Sequence, residues 1–353
     1  MDVGQGDAEL LELSDGKAML IDAGEDASAD AVLRTLERER IDRIDYLVAS
    51  HPHADHIGGM AAVLRAVDVG EVWAPDAPAT TDVYEGFLDE VARQGLSIET
   101  ARAGGEIVPE KEGHAVELIA PASDVHSDDM NDYSAIVKVT YGETSFLFTG
   151  DASAEEIVAA NLGHVDVLKA AHHGSETGTD DAVMRETTPD AIVLSYAEGN
   201  SYGHPDQSVL DAAGRAGASV FSTAAHGEET AVSDGTRVTV TGDHAGEIVA
   251  CVSAEERARQ AAEAQARAEE EAAAAAAAQA EAERQRRQEA EVAAVAQAQA
   301  QPQAQQDLVV VTRTGERYHR EGCRTTARSH GLVTMTRQQA EATGLTPCQV
   351  CNP

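Results

Sequence analysis

Residues 50–59 read SHPHADHIGG, with three histidines and an aspartate within six positions and two glycines immediately after. The stretch lies between IDYLVAS (44–50), a buried-strand pattern, and ADHIGGMAAVLRAV (54–67), which has helical periodicity, so the cluster falls on a strand-to-helix loop. On extended chain His51 and His53, two apart, point to the same side, while Asp55 and His56 at the turn face an adjacent position. Such a set serves two metal ions roughly 3.5–4 Å apart when a further carboxylate bridges them. Asp151, closing SFLFTGD, is the candidate bridge. Isolated histidines such as His114, His126 and His330 read as structural or exposed.

Working outward, AELLEL (8–13) and AMLIDAG (18–24) form a hairpin pattern across SDGK, and ADAVLRTLERER (29–40) follows as a helix. AIVKVTYGETSFLFTGD (135–151) is a second hairpin whose last strand ends at Asp151. DVLKAAHHGS is a strand ending at His172 and His173, and AIVLSY is the next, ending near Asn200 and His204. These polar groups lie just past strand ends, where open α/β architectures gather their sites. SVFST, TRVTV and EIVACV read as further short strands, with Cys251 as a buried core residue.

The composition then changes. Residues 254–300 are almost entirely Ala, Glu, Gln and Arg, a helix of roughly 70 Å at 1.5 Å per residue. Val292 and Val295 alone make no heptad seam, so the segment reads as a solvated spacer rather than a coiled coil, stopped by Pro302. A tail of about 46 residues holds His319, Cys323, Cys348 and Cys351, an H-x₃-C and a C-x₂-C pair suited to a closed structural zinc site; a disulfide or free thiols is the alternative. The expected domains are 1–252, 253–307 and 308–353. The charge is strongly negative, 62 acidic against 26 basic residues, and only the tail has a basic excess. An acidic body repels nucleic-acid phosphates at long range, so a polyanionic substrate depends on metals or a local positive site. No run approaches the roughly 18 apolar residues of a membrane span, and the chain reads as soluble. It opens directly on DVGQGD, which suggests that the natural N-terminus lies upstream; a leader there would place it outside the cell or on its surface, otherwise in the cytoplasm.

HxHxDH with a later TGD and HHGS resembles the metallo-β-lactamase fold hydrolases. DVGQGDA, LIDAG (20–24), NDYSAIVKVTYG before FLFTGD, AAHHGS and NSYGHP (200–205) narrow the resemblance to the ComEC-like competence group. It implies an α/β fold, a four-layer αββα sandwich with two divalent metals, Zn or Mn, at one edge of the sheets. One metal would take His51, His53 and Asp151; the other Asp55, His56, Asp151 and one of His172 and His173, with His172 as the ligand and His173 as catalytic, and the choice open. Asp55 would also orient the attacking hydroxide or take its proton, and His204 would contact substrate or protonate the leaving group. Asp22 would brace the metal loop. Asp7 and Gln5 would line the cleft, Asn200 would contact substrate or support the site, and Lys169 would meet an anion or snorkel. Many members have a histidine where Asn131 or Asp132 stands here, so the His51 metal has an open position. The implied activity is hydrolysis by a hydroxide held between the metals, most plausibly of phosphodiesters and with DNA as an anionic substrate. Alternatives are a metallohydrolase of an ester, lactone or cell-envelope phosphodiester, and a binding module with a weakened metal site. The tail resembles the small Ada-type zinc domain, able to dock a partner.

Overall fold

The computed structural model describes residues 1–111, 113–250 and 254–353, so Cys251 lies outside the described residues. Its layering is visible in the first hairpin, β1 (Glu9–Glu12) and β2 (Ala18–Ile21). Met19 and Ile21 point into one apolar layer and Leu20 into another, because alternate side chains of a strand leave opposite faces. With both faces covered, all four residues of β2 are buried.

β2 continues into a parallel array with β3 (Arg43–Val48), β4 (Asp68–Ala74) and β5 (Ile98–Thr100), giving a five-stranded sheet in chain order. Its outer face is covered by α1 (Ala29–Glu39), α2 (Ala54–Ile57), α3 (Met60–Ala66) and α4 (Asp82–Arg93), with Leu20, Leu47 and Val72 packed against Leu36, Met60, Leu64 and Phe87. The second sheet has seven strands: β6 (Glu106–Lys111), β7 (His114–Leu118), β8 (Val137–Tyr141), β9 (Thr144–Phe148), β10 (Val167–Lys169), β11 (Ala191–Leu194) and β12 (Ser219–Ser222). They are antiparallel from β6 to β9 and parallel from β9 to β12. α5 (Ala154–Ala159), α6 (Asp181–Thr187) and α7 (Gln207–Ala216) pack on its outer face through Ile157, Met184 and Val209. Between the sheets lie Met19, Ile21, Tyr46 and Val48 from one and Val116, Leu118, Val137 and Val139 from the other. Three apolar layers between four structural ones make the expected αββα sandwich. A hairpin of β13 (Glu229–Ser233) and β14 (Val238–Gly242) follows.

Two expectations fail. Residues 247–250 of EIVACV are not strand, although their alternation suggests one; no neighbouring strand offers them a ladder. Pro302 does not stop the long helix, which runs from Ala254 to Gln306, 53 residues or about 80 Å. A proline removes one donor, and the strong helix formers on both sides carry the backbone one turn further. Val292 and Val295 are exposed on this helix. No helix of the described residues is long and apolar enough to cross a membrane.

The chain divides into two compact units, Met1–Gln260 and Ala261–Pro353. The second contains a small sheet of β15 (Leu308–Val311), β16 (Arg317–His319), β17 (Val333–Thr336) and β18 (Thr346–Pro347), in the order β17-β15-β16-β18. Its core consists of Val309, Val311, Tyr318 and Ala340, with Met335 and Leu345 packed against them. So few apolar side chains leave a module of this size dependent on a cross-link or metal.

Candidate metal centre

The histidine loop leaves β3 and turns into α2, with His53 extended at the helix start. The two glycines after it allow a close passage. The His56 carbonyl accepts from Ala23 N, Gly59 N donates to the Gly24 carbonyl, and a Cβ on Gly59 would collide with the Ala23 carbonyl. This passage sets Asp22 behind the histidines. Its carboxylate accepts from Ser50 N (2.8 Å), Ser50 Oγ (2.6 Å) and His56 Nδ1 (2.8 Å), and all three residues are buried. Asp22 thus ties the start of the histidine loop to the ring of His56.

These bonds fix the ring tautomers. His56 gives its Nδ1 proton to Asp22, which leaves Nε2 as a lone pair 3.2 Å from Asp151 Oδ1. Ser50 Oγ gives its one proton to Asp22, so it accepts from His51 Nδ1 (3.1 Å) and turns the His51 Nε2 lone pair toward His53 Nδ1 (3.0 Å) and Asp151 Oδ2 (3.8 Å). His173 donates from Nδ1 to the Ser195 carbonyl (3.1 Å) and presents Nε2 to Asp55 Oδ2 (3.2 Å) and Asp151 Oδ1 (3.8 Å). His172 Nε2 lies 3.7 Å from the other oxygen, Asp151 Oδ2.

Asp151 thus divides the site, with Oδ1 facing His56 and His173 and Oδ2 facing His51 and His172. It follows β9 through Gly150, whose positive φ and contact with Ser50 leave no room for a side chain. Ligand atoms converge in two groups within 4.8 Å, His51 with His53 and Asp151, and Asp7 with His56, Asp151 and His173. His172 and His173 both take left-handed backbone conformations, φ 51° and 55°, of order 1–3 kcal/mol of strain each. That strain aims two consecutive imidazoles at different oxygens of one carboxylate. His173 is buried beside Asp55 and His56, while His172 is partly exposed on the Oδ2 side, and both line the cavity.

The donor set fits divalent cations. His56 Nε2 and Asp151 Oδ1 are buried, face each other and have no hydrogen-bond partner, so two lone pairs meet where a cation satisfies both. A proton and a cation compete for that place: burial opposes charge on His56, but Asp151 and Asp22 outweigh it and hold the imidazole well above its ordinary range, so an ion bound there displaces the Nε2 proton. Burial pushes Asp151 up, and His56 and His173 outweigh it, holding the carboxyl well below.

An open cavity of about 310 Å³ lies over the centre, lined by Gln5, His53, Asp55, Asn131, Asp151, His172, His173, Tyr202 and His204 among others. Asn131, not Asp132, reaches it; Asp132 accepts from Ser127 Oγ (2.5 Å). Asn131 Oδ1, Gln5 Nε2 and His204 Nδ1 are buried and unpartnered. Burial, with His172 and His173 alongside, lowers His204 to about 4.

Three expected residues stand away from the cavity. Asp7 does not line it: it is 1% exposed, ion-paired to Lys169 at 2.6 Å, and its other oxygen lies 3.2 Å from His173 Nδ1. Lys169 neither snorkels nor meets solvent, being 3% exposed, and its anion is Asp7. Asn200 spends its side chain on the loop, accepting from Tyr202 N, Gly203 N and His204 N and donating to the Ala197 and His204 carbonyls. Tyr202 is the cavity residue that motif reading passes over, its only signal being an aromatic inside NSYGHP.

In the second unit His319, Cys323, Cys348 and Cys351 bring their ligand atoms within 4.8 Å. The three cysteines are free thiols. The Thr325 hydroxyl lies 3.0 Å from Cys323 Sγ and 3.1 Å from His319 Nδ1, while Cys351 and Cys348 accept from the amides of Arg320 and Val350. Hydrogen bonds from Thr325 lower Cys323 to about 7, and the Cys351 amide lowers Cys348 to about 6, both toward the thiolate that binds zinc.

The sequence profile of the metallo-beta-lactamase superfamily matches residues 1–197. The chain belongs to that superfamily. This metallo-β-lactamase fold chain is also similar to recombination protein 2 of Haemophilus influenzae, 31% identical over 235 residues, covering 65% of this chain and 28% of that protein. To ComE operon protein 3 of Bacillus subtilis it is 26% identical over 233 residues, covering 60% and 29%. The chain thus spans less than a third of the length of these relatives. Among solved structures, the metallo-beta-lactamase fold protein YhfI of Bacillus subtilis overlaps with a TM-score of 0.45 at 15% identity, covering 62% of this chain and 88% of that one.

Proposed function

We propose that the first unit is a dinuclear metal-dependent phosphodiesterase. The observation that carries this reading is the division of Asp151, one buried carboxylate presenting each oxygen to a different set of imidazoles beside an open cavity. One ion would be held by Asp55, His56, His173 and Asp151, the other by His51, His53 and Asp151. His172 is the next imidazole on that side, and Asn131 stands where many members have a third histidine. Nitrogen and oxygen donors without thiolate suit Zn²⁺ or Mn²⁺. Bound there, such ions supply a nucleophilic hydroxide near neutral pH and polarise a substrate oxygen.

The chain's own residues do the rest. Asp22, Ser50 and the Ser195 carbonyl hold three Nδ1 protons, so that three Nε2 lone pairs point inward in one orientation. Asp55 would orient the attacking oxygen or take its proton. Gln5, Asn131 and His204 offer buried, unpartnered polar atoms to the non-reacting part of the substrate. Nucleic acid as the phosphodiester is supported by the names of the relatives, recombination protein 2 and ComE operon protein 3, which share this portion of their length.

The domain limits 1–252, 253–307 and 308–353 complete the proposal, the last being a structural zinc module on a helical spacer, able to dock a partner. Metal analysis after reconstitution is expected to give two ions in the first unit and one zinc in the second. The parent is expected to hydrolyse bis(p-nitrophenyl) phosphate and single-stranded DNA but not a lactone, and Asp151→Ala to hydrolyse none of them. Fewer than two ions in the first unit, or an Asp151→Ala protein as fast as the parent, refutes the reading.

A further inference from the structure

Tyr202 stands at the mouth of the cavity, 63% exposed, the one aromatic among the exposed large apolar side chains of the described residues. Its exposure is not slack in the loop. The backbone N–H of Tyr202 and of the two residues after it all donate to Asn200 Oδ1, and the tyrosine ring lies stacked on His204, centroids 5.9 Å apart and planes 22° from parallel. A rigid loop therefore presents one aromatic face to solvent beside the metal centre. Aromatics form only 3% of the chain, so this surface is not part of a general pattern.

The cavity also lacks the usual means of holding a phosphate chain. None of its lining residues is Lys or Arg, the one buried lysine nearby is committed to Asp7, and the chain carries a net charge of −36. Long-range attraction of a polyanion is reversed here, so affinity beyond the metals must come from the uncharged part of the substrate. A base has a π-face that stacks on an aromatic side chain whatever its sequence, and that face is free only when the base is unpaired and unstacked.

We propose that Tyr202, backed by His204, is the stacking platform for an unpaired nucleobase next to the scissile phosphodiester, which makes single-stranded rather than duplex nucleic acid the substrate. The inference rests on the phosphodiesterase reading for its chemistry but is tested by binding.

The experiment is fluorescence polarisation with the full chain and three labelled probes: a decathymidylate, a decamer of abasic residues with the same phosphates, and a duplex decamer. The parent is expected to bind the decathymidylate more tightly than the other two. Tyr202→Leu is expected to lose about 5- to 150-fold on the decathymidylate, the equivalent of ~1–3 kcal/mol for one stacked base, with no change on the abasic strand. Tyr202→Phe keeps the ring and is expected to bind like the parent. Equal loss on base-bearing and abasic strands, no loss at all, or failure of Tyr202→Phe to bind overturns the platform. Hydrolysis of bis(p-nitrophenyl) phosphate, measured in parallel, separates the two ideas. A parent that hydrolyses it but binds all three probes alike keeps the hydrolase and loses the platform. A parent that hydrolyses no phosphodiester yet discriminates the strands through Tyr202 keeps the platform and loses the hydrolase.

Discussion

Replacing Lys169 by Met tests whether the charge behind the metal centre is structural. Lys169 and Asp7 form a 2.6 Å ion pair with side chains 4% and 1% exposed. Burial pushes the lysine pKa down, but Asp7 and Glu9 outweigh it and keep the ammonium charged; burial pushes Asp7 up, yet Lys169 and His173 bring it to about 2. Lys169→Met keeps most of the apolar stem and leaves the buried Asp7 without its nearest cation, with His173 as the remaining partner, and breaking a buried pair this way costs about 3–5 kcal/mol. Asp7→Asn leaves the ammonium uncompensated at a similar cost, and the double variant removes both charges and recovers most of the loss. With a urea slope of about 3 kcal/mol/M, each single change lowers the unfolding midpoint by about 1–2 M. Trp73, the only tryptophan, lies in β4 against the inter-sheet layer, so its fluorescence follows the first unit alone. Measured in EDTA, metal affinity does not enter. A loss below ~1 kcal/mol, as for a surface pair, or a double variant equal to the sum of the singles, refutes the coupling.

Three further outcomes are expected. Asp151→Asn weakens both metal sites together, whereas His53→Ala lowers the metal content of the first unit by one ion; elemental analysis of each variant after equal reconstitution distinguishes them, and equal losses contradict the division of Asp151. Burial and the Asp7 carboxylate push Glu9 up to about 8 from an ordinary 4.5. The folded state therefore favours the protonated Glu9, a contribution present below pH 4.5 and lost as pH rises through 8; Glu9→Gln should flatten the decline in Trp73-monitored stability over that window. Cys348→Ser removes one of four ligands and is expected to abolish the tail zinc and the protease resistance of residues 308–353, leaving the first unit folded; a tail that stays resistant without zinc would show that Val309, Val311 and Tyr318 suffice as a core.

The sandwich was legible in the sequence because its central strands are buried on both faces and its motifs sit at their ends. Strands 68–118 were not read there: β5 has three residues and β6 meets β7 with register shifts, so neither shows a clean period. In the site, residue types at fixed spacing singled out His51, His53, Asp55, His56 and Asp151, which the structure brings together. The partition of His172 and His173 was not legible. It depends on two successive left-handed residues, a backbone conformation that no side-chain pattern announces. Asp7 and Lys169 were ambiguous for another reason: an acid and a base 162 positions apart reveal their pairing only when β10 is placed beside the N-terminal loop.

That pairing bears on how the two sides of Asp151 differ. On the Oδ1 side of Asp151, His56 and His173 are buried, their outer nitrogens are held by Asp22 and the Ser195 carbonyl, and Lys169 balances Asp7 behind them. On the Oδ2 side, His53 and His172 are partly exposed and Asn131 leaves an unpartnered oxygen toward the cavity. A closed, braced set holds an ion in fixed geometry, whereas an open set with a weak neutral neighbour has a position to give to substrate. Substrate binding and orientation would therefore fall to His53, His172 and Asn131, which line the cavity together with Asp55, His173 and Tyr202. It follows that His53→Ala should impair substrate binding more than His56→Ala does, and a phosphodiester analogue bound equally by both variants would contradict this asymmetry.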